Sequence, residues 1–266
     1  MKPLQVVPST TSHKLEPLDT TLEVFSRLGL RDLDLNLHHF IETGVAVEEA
    51  RHLLTKWGHH VWVASGGWCD YSHDGQEFEQ TRQSVERQVA IARELGVRRM
   101  RLFFGRLPRE RYGPQALETL ARNMSELGAR HPDVTFAFEN HDGASSCPEI
   151  CRAVLERVDR ANIRLNFDPI NFEHRGVDHM KAFHELQPFI AHVHLKGIVD
   201  HGFCEFGDGN VDLTPFLRAL IAGGYRGGFT VEYEADFDRT VRLFRSTRRA
   251  TDVVSQLAHA HIGQTN

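Results

Sequence analysis

Four acidic or imidazole side chains stand at regular intervals in the second half of the chain, each near the end of a short apolar run. They are Glu139 in FAFENHDG, Asp168 in LNFDPIN, His194 in HVHLKG and Glu232 in FTVEYE. The intervals between them are 29, 26 and 38 residues. Carboxylate and imidazole donors suit a hard or borderline divalent cation. The set therefore predicts one site for Mn²⁺, Mg²⁺, Co²⁺ or Zn²⁺, with all four residues as ligands.

Each of these residues taken alone has an ordinary explanation, because a charged residue at a strand end is most often a solvated group or a helix cap. The metal-site interpretation rests on the set as a whole, in apolar contexts and at repeat spacing. Three carboxylates at one place would repel one another without a cation. A cation beside carboxylates suits the removal of a proton from a carbon next to a carbonyl, because it stabilises the charge that develops on oxygen.

The elements that must position these residues alternate along the chain. Amphipathic stretches predict helices that end at glycines, among them Leu18 to Leu28 before Gly29, and Leu117 to Leu127 before Gly128. Between the helices, short apolar runs predict parallel strands covered on both faces. The predicted strands are Leu4–Val7, Leu30–Leu37, His60–Ala64, Arg99–Phe104, Val134–Glu139, Ile163–Asp168, Ile190–Lys196 and Phe229–Glu234.

Eight strand–helix pairs in 266 residues give about 33 residues per pair, which is typical of a (β/α)8 barrel. An open doubly wound sheet would normally carry a glycine-rich turn after its first strand, and VVPSTTSHKLEP contains no glycine. No linker divides the chain, so we predict a single barrel domain over residues 1–266. In such a barrel the carboxyl ends of the strands share one rim, where the four residues would meet.

The amino-acid composition excludes several classes of protein. Hydrophobic residues make up 41% and charged residues 25%, which excludes a disordered chain, a collagen or a coiled coil. The net charge of −5 argues against a nucleic-acid-binding protein, because such proteins usually carry an excess of basic residues. Apolar runs are too short to span a membrane and the start does not resemble a signal peptide, so we expect a cytoplasmic protein without membrane partners. The four cysteines lack zinc-finger spacing and are expected to be reduced thiols.

The motifs around the four residues, together with FGDGNVDLTPFLRALIAGGYRGGFTVEYE, resemble the xylose isomerase-like TIM barrel superfamily, especially its sugar phosphate isomerase/epimerase members. The resemblance is specific from about Val134 to Glu234 and looser before it. It implies one divalent metal ion on the four residues. It also implies that Glu139 and Glu232 flank a small carbohydrate substrate and move protons beside its carbonyl. Relatives are often dimers or tetramers, so a homo-oligomer is expected.

Other residues have weaker signals, each with an alternative. His141 is predicted as an acid, base or substrate contact, or else as a structural histidine. Lys196 is predicted to bind substrate oxygens or a phosphate, or else to pair with a barrel carboxylate. Asn171 and His38 are predicted substrate contacts. Trp68 is predicted to form a wall of the sugar pocket, or else to pack within its own loop.

Three functions are consistent with these residues. The first is a metal-dependent isomerase or epimerase of a sugar, sugar phosphate or keto-polyol. The alternative is a metal-dependent lyase or dehydratase of a keto-sugar, keto-cyclitol or oxidised C-glycoside, since His141 would supply the additional acid or base. The third is a non-enzymatic binding barrel. A DNA-repair endonuclease is disfavoured by the acidic balance and by Asn171, where the resemblance implies that such enzymes carry a histidine.

Two further motifs are interpreted structurally. Gly207–Asn210 looks like a phosphate loop but is predicted to be a turn that starts a helix, with Asp212 or Thr214 near its cap. The arginines between Arg239 and Arg249 are predicted to form a solvated helix face paired with acidic residues, with a subunit contact as the alternative.

Overall fold

The computed structural model describes residues 4–42, 44–200, 202–235 and 237–265. Eight of its strands are parallel and form one sheet, and two form a short antiparallel hairpin. The strands are β1 Val6–Pro8, β2 Asp32–Asn36, β3 His60–Ser65, β4 Arg99–Phe103, β5 Thr135–Glu139, β6 Ile163–Phe167, β7 Ile190–Leu195, β8 Gly197–Val199, β9 Gly202–Cys204 and β10 Gly228–Val231. The hairpin consists of β8 and β9.

The parallel sheet closes into a barrel. Its strand order is β1-β10-β7-β6-β5-β4-β3-β2, so β1 and β2 are its two ends. These ends meet where Ser9 forms a parallel bridge with Asp34, and the Asn36 backbone N–H donates to Thr10 Oγ1 at 2.8 Å. The predicted TIM barrel is therefore confirmed. None of the helices within the described ranges combines the length and apolar character needed to cross a membrane.

Helices follow the strands along the chain and cover the barrel. Proline opens α5, α6 and α7, where its missing N–H would have no helical partner in any case. The helices are α1 Leu18–Arg27, α2 His38–Ile41, α3 Val47–Trp57, α4 Gly75–Glu94, α5 Pro114–Arg130, α6 Pro148–Val158, α7 Pro169–His174, α8 His179–Leu186, α9 Thr214–Ala222 and α10 Arg239–Thr265.

Apolar residues fill the space between strands and helices. Phe167 of β6 stacks on Phe216 of α9 with ring centroids 5.2 Å apart, and Phe183 of α8 packs edge-on against Phe216 at 5.3 Å. Within the barrel itself, His192 Nε2 and Thr230 Oγ1 share a hydrogen bond at 2.8 Å. This burial on both faces explains why the strands are nearly continuous apolar runs.

The sequence located every barrel strand, with small differences at the ends. The first strand begins at Val6 rather than Leu4. The last strand ends at Val231, so Glu232 and Glu234 follow the strand instead of belonging to it. The Glu232 N–H still donates to Leu195 O at 3.0 Å, which keeps its backbone in register with β7.

One predicted helix end is wrong. Helix α5 continues through Gly128 to Arg130 instead of stopping before the glycine. Gly128 is needed for close packing, because a Cβ atom there would lie 2.8 Å from Ile163 Cγ1 and 2.9 Å from Arg160 Cδ. The helix end is followed by His131, whose N–H donates to Leu127 O.

The two structural interpretations agree with the fold. Asp212 Oδ1 accepts a hydrogen bond from the N–H of Thr214, the first residue of α9, at 2.9 Å, so the turn after Gly207 leads into this helix. On α10, Arg249 pairs with Asp208, and Arg242 Nη1 lies 3.3 Å from Glu205 Oε1. The four cysteines are free thiols.

Replacing Gly128 with alanine is expected to lower the free energy of unfolding by about 1–3 kcal/mol, because the new methyl group overpacks the contact with β6. Gly263 also lies on a helix, but a Cβ atom there would meet nothing within 4 Å, so Gly263→Ala is the matched control. It should change the free energy by about 0.5 kcal/mol or less, in the stabilising direction. Urea unfolding followed by circular dichroism measures both. Equal effects would contradict the packing role of Gly128.

Candidate active site

The four residues predicted as ligands converge at the carboxyl ends of their strands. Glu139 is the last residue of β5, Asp168 follows β6, His194 lies within β7 and Glu232 follows β10. All four are buried, and one ligand atom from each lies within 4.8 Å of the others. The fold therefore brings together residues that are separated by up to 93 positions in the chain.

Asp168 has two roles because its oxygens face different partners. Oδ1 caps α7 by accepting from the N–H groups of Ile170 at 2.8 Å and Asn171 at 2.9 Å. Oδ2 points toward the cluster and lies 3.0 Å from Lys196 Nζ. The helix cap thus fixes the carboxylate and leaves its second oxygen directed at the site.

His194 lies between carboxylates. Its Nδ1 is 3.2 Å from Glu232 Oε2 and 3.6 Å from Glu139 Oε1. Neither ring nitrogen has a hydrogen-bond partner of acceptable geometry among the described residues, although the ring is completely buried. A buried nitrogen that faces two carboxylate oxygens is in a suitable place to bind a cation with them.

Arg101 is a functional candidate that the sequence reasoning missed. It lies on β4, is 3% exposed, and places Nε 3.2 Å from Glu139 Oε2. Its Nη1 donates to Gly66 O at 3.1 Å. On the other side of the same carboxylate, Asn171 Nδ2 donates to Glu139 Oε1 at 3.0 Å. Glu139 is therefore held from two sides. The signal in the sequence that could have identified Arg101 was a charged residue inside the apolar run RMRLFF.

The charges in the cluster shift the pKa values of its members. Burial raises the pKa of Glu139, but the nearby charges of His194 and Arg101 outweigh it and lower the pKa to about 2. The pKa of Glu232 is likewise well below its usual range, because His194 outweighs burial. Burial lowers the pKa of His194, yet Glu232 and Glu139 raise it well above its ordinary value. Both glutamates are thus kept ionised inside the barrel.

The donor set fits one divalent cation. It offers three carboxylates and an imidazole, it is buried, and its ligand atoms converge. Oxygen and nitrogen donors of this kind are shared by Mg²⁺, Mn²⁺, Co²⁺ and Zn²⁺ sites. The orphaned nitrogens of His194 are the structural sign that a partner is needed there.

A cavity of about 660 Å³ opens over Glu139 and Glu232, a size suited to a small organic molecule. His38, Trp68 and His141 line this cavity, and their contact with a substrate stays a prediction. Arg101 and Phe103 also line it. Two of the proposed ligands and three of the other predicted site residues therefore share one cavity.

Trp68 forms part of the cavity wall but does not offer a free ring face. Its ring stacks on Phe103 with centroids 4.1 Å apart, and the guanidinium of Arg106 lies 3.9 Å from its centroid. His141 meets Trp68 edge-on at 5.3 Å. The side chain is 43% exposed and borders the cavity. Its part in binding a sugar stays a prediction.

Lys196 and Asn171 both lie beside the carboxylate cluster. Lys196 lines a neighbouring cavity of about 310 Å³, and its Nζ donates to Glu234 Oε1 at 2.5 Å. Burial lowers its pKa, but Asp168 and Glu234 raise it well above the usual value. This arrangement matches the alternative of a lysine paired with barrel carboxylates. The amide of Asn171 is engaged with Glu139. A substrate contact by either residue stays a prediction.

Asp34 is a second residue that the sequence reasoning missed. It lies on β2, is completely buried, and accepts a hydrogen bond from Ser65 Oγ to Oδ2 at 2.9 Å. The same oxygen is 3.8 Å from His194 Nε2. Burial raises the pKa of Asp34 to about 6. The signal in the sequence that could have identified Asp34 was an aspartate inside the apolar run LDLNL.

The comparisons with known proteins identify the class. A family model described as xylose isomerase-like TIM barrel matches residues 23–251, and the chain belongs to this family. The fold and family predicted from the motifs are thereby confirmed.

Individual relatives include dehydratases and an epimerase. The 3-dehydroshikimate dehydratase of Bacillus anthracis is 24% identical over 64% of this chain and 60% of its own. The inosose dehydratase of Geobacillus thermodenitrificans is 29% identical over 45% of this chain and 47% of its own. The chain thus spans about half of the length of these relatives. A solved L-ribulose 3-epimerase shares the fold with a TM-score of 0.80 at 16% identity, covering 99% of this chain and 98% of that one.

Replacing Arg101 with methionine is expected to lower the free energy of unfolding of the metal-free protein by about 3 kcal/mol, because it leaves Glu139 buried without its counter-charge. Adding Glu139→Gln to that variant should recover part of the loss, which a double-mutant cycle measures. Arg27→Met breaks an exposed pair with Glu23 and serves as the control, with an effect below about 1 kcal/mol. Additive effects of the Arg101 and Glu139 substitutions would show that the two side chains are not coupled.

Proposed function

We propose that this protein is a divalent-metal-dependent isomerase or epimerase that acts on a small sugar, sugar phosphate or keto-polyol. The observation that carries the proposal is the placement of two ionised carboxylates, Glu139 and Glu232, which both face His194 Nδ1 and line one cavity. Two carboxylates that reach one substrate can remove a proton from carbon and return one to it. Family membership supports an enzymatic role, since the named relatives are enzymes.

The side chains would have separate tasks in this reaction. Glu139, Asp168, His194 and Glu232 would hold the cation, which would stabilise negative charge on the substrate's oxygens next to the reacting carbon. Glu232 accepts the proton from that carbon. His194 Nδ1 and Lys196 Nζ lie 3.2 Å and 3.7 Å from Glu232 Oε2. Glu139, held by Arg101 and Asn171, would face the substrate from the adjoining part of the rim. It would take up a proton from solvent and deliver it to carbon, while Glu232 would release its proton to solvent.

A dehydratase is the second candidate, and one feature of the site favours it. Arg101 and Asn171 bind the carboxylate of Glu139. The imidazole of His141 lines the same cavity and is a second candidate for the acid. An elimination needs one base at carbon and one acid at the departing hydroxyl, which Glu232 and His141 would provide. The names of the two dehydratase relatives refer to compounds with a ring ketone, so a cyclic keto-polyol is the substrate class for this alternative.

The purified protein is expected to bind about one divalent ion per chain, and Asp168→Ala should lose most of it, because the variant removes one of four ligands. Asp212→Ala is the matched control, since Asp212 also accepts a backbone N–H at the start of a helix but is not a member of the four-residue cluster. Elemental mass spectrometry after dialysis against Mn²⁺ measures the content of each protein. A wild-type protein without bound metal, or an Asp168→Ala variant with full occupancy, would contradict the proposed site.

Glu232→Gln should reduce turnover by about 10²-fold or more, because the amide cannot accept the proton. The assay incubates a panel of ketoses and cyclic keto-polyols with the Mn²⁺-loaded protein in heavy water. Isomers that retain their mass apart from solvent deuterium indicate isomerisation or epimerisation, whereas products lighter by one water indicate a dehydratase. Glu86→Gln, which changes a glutamate paired with Arg130 on the helical layer, is the control and should retain activity. Undiminished deuterium incorporation by Glu232→Gln would exclude Glu232 as the base.

A further inference from the structure

Asp34 is a buried carboxylate that the proposed proton transfers do not use. Its side chain is completely buried, Oδ2 accepts from Ser65 Oγ, and Oδ1 has no hydrogen-bond partner among the described residues. A buried carboxylate with one hydrogen bond from a hydroxyl is expensive to maintain. Its presence inside the barrel therefore calls for a partner that carries or shares a proton.

His194 is an ionisable partner of this carboxylate. Its Nε2 is 3.8 Å from Asp34 Oδ2, on the opposite side of the ring from Nδ1, which faces the two glutamates. Neighbouring His192 meets the His194 ring edge-on, with centroids 5.6 Å apart, but its own Nε2 is taken by Thr230. The other charged groups that act on Asp34 are Arg101, which pairs with Glu139, and Glu232.

We propose that Asp34 is a positioning residue for His194. With the cation bound, its carboxylate would accept the Nε2–H across the contact that now measures 3.8 Å, which leaves the Nδ1 lone pair directed at the space between Glu139 and Glu232. The identity of the protonated nitrogen in a metal-binding histidine is set by the hydrogen bond that the other nitrogen makes. This inference rests on the proposed function, because it concerns the histidine that would hold the cation.

The placement of Asp34 depends on closure of the barrel. Its backbone forms the bridge to Ser9 that joins the two ends of the sheet, and Ser65 on β3 orients its side chain. His194 approaches from β7 on the other side of the interior. Three strands and the closing bridge therefore fix the position of the carboxylate behind the histidine ring.

A second cation is the competing explanation of the same groups. One ligand atom each from Asp34, His192 and His194 lies within 4.8 Å of the others, and all three residues are buried. His192, however, has one ring nitrogen engaged with Thr230. The count of bound ions separates the two explanations, since a positioning role requires one ion per chain and a second site requires two.

The test is a calorimetric titration of the metal-free, full-length protein with Mn²⁺. Asp34→Asn is expected to lower the Mn²⁺ association constant by about 10- to 100-fold while the stoichiometry stays at one. Asp32→Asn is the matched control, because Asp32 lies two residues away on the same strand and bonds to Gln5 instead. It should bind Mn²⁺ as the wild type does. Circular dichroism and urea unfolding establish that each variant is folded.

A spectroscopic measurement separates positioning from a general structural effect. In the Mg²⁺-loaded wild type, the His194 Nε2–H should give a downfield proton resonance, identified by its loss in His194→Gln. In Asp34→Asn this resonance should move upfield and exchange faster with water, because the carboxylate acceptor is gone. Asp34→Ala should show the same change and covers the case in which the asparagine variant fails to fold.

The outcomes are distinguishable. If the wild type binds one ion and Asp34→Asn binds it equally well with an unchanged resonance, the positioning role is refuted while the proposed metal site remains. Two ions per wild-type chain, with one lost in Asp34→Asn, would replace positioning by a second metal site. If the wild type binds no ion, the proposed function itself fails and this inference with it.

Discussion

Mutual repulsion among three buried carboxylates is the constraint on which the rest of the site depends. Glu139, Asp168 and Glu232 come to one rim of the barrel, out of water, where their charges interact strongly. The protein meets this constraint with cationic or protonated neighbours: Arg101 beside Glu139, Lys196 beside Asp168, and His194 at the centre. A divalent cation among them would complete the balance, which is why the same arrangement can serve both metal binding and proton transfer.

The backbone geometry of the barrel is what brings these carboxylates together. Parallel strands in register end at the same height, so a residue at the end of one strand meets its counterparts from neighbouring strands. Hydrogen bonds then set the direction of each carboxylate. The cap of α7 takes one oxygen of Asp168 and leaves the other for the site, and Asn171 at the start of the same helix holds Glu139. One short helix thereby orients two of the four ligand candidates.

The same site suits more than one reaction, as is common for a fold whose chemistry is set by loops at one face. Proton removal beside a carbonyl is the step that isomerases, epimerases and dehydratases share, and the next step depends on the acid that faces the second atom. Here Glu139 is fastened by Arg101, and His141 is placed by packing against Trp68 and Phe103. In the proposed reaction, the position of His141 on this wall would decide whether elimination follows proton removal.

Local patterns in the sequence were sufficient for the order of elements, the closed barrel and the four ligand candidates. Strand ends and helix periods are local properties, and ligand types at strand ends are visible without knowing how strands pair.

The roles of Arg101 and Asp34 were not predicted from the sequence. An ionisable residue inside an apolar strand shows its role only when its partners from other strands are known. Gly128 looked like a helix stop, yet close packing against Ile163 explains it. Lys196 alternates with His194 along the chain, but tertiary packing directs it to a different cavity and to Asp168. The sequence by itself thus determined which groups reach the rim. Only the tertiary structure decided which of them face one another, because distances between side chains of different strands depend on barrel closure and register.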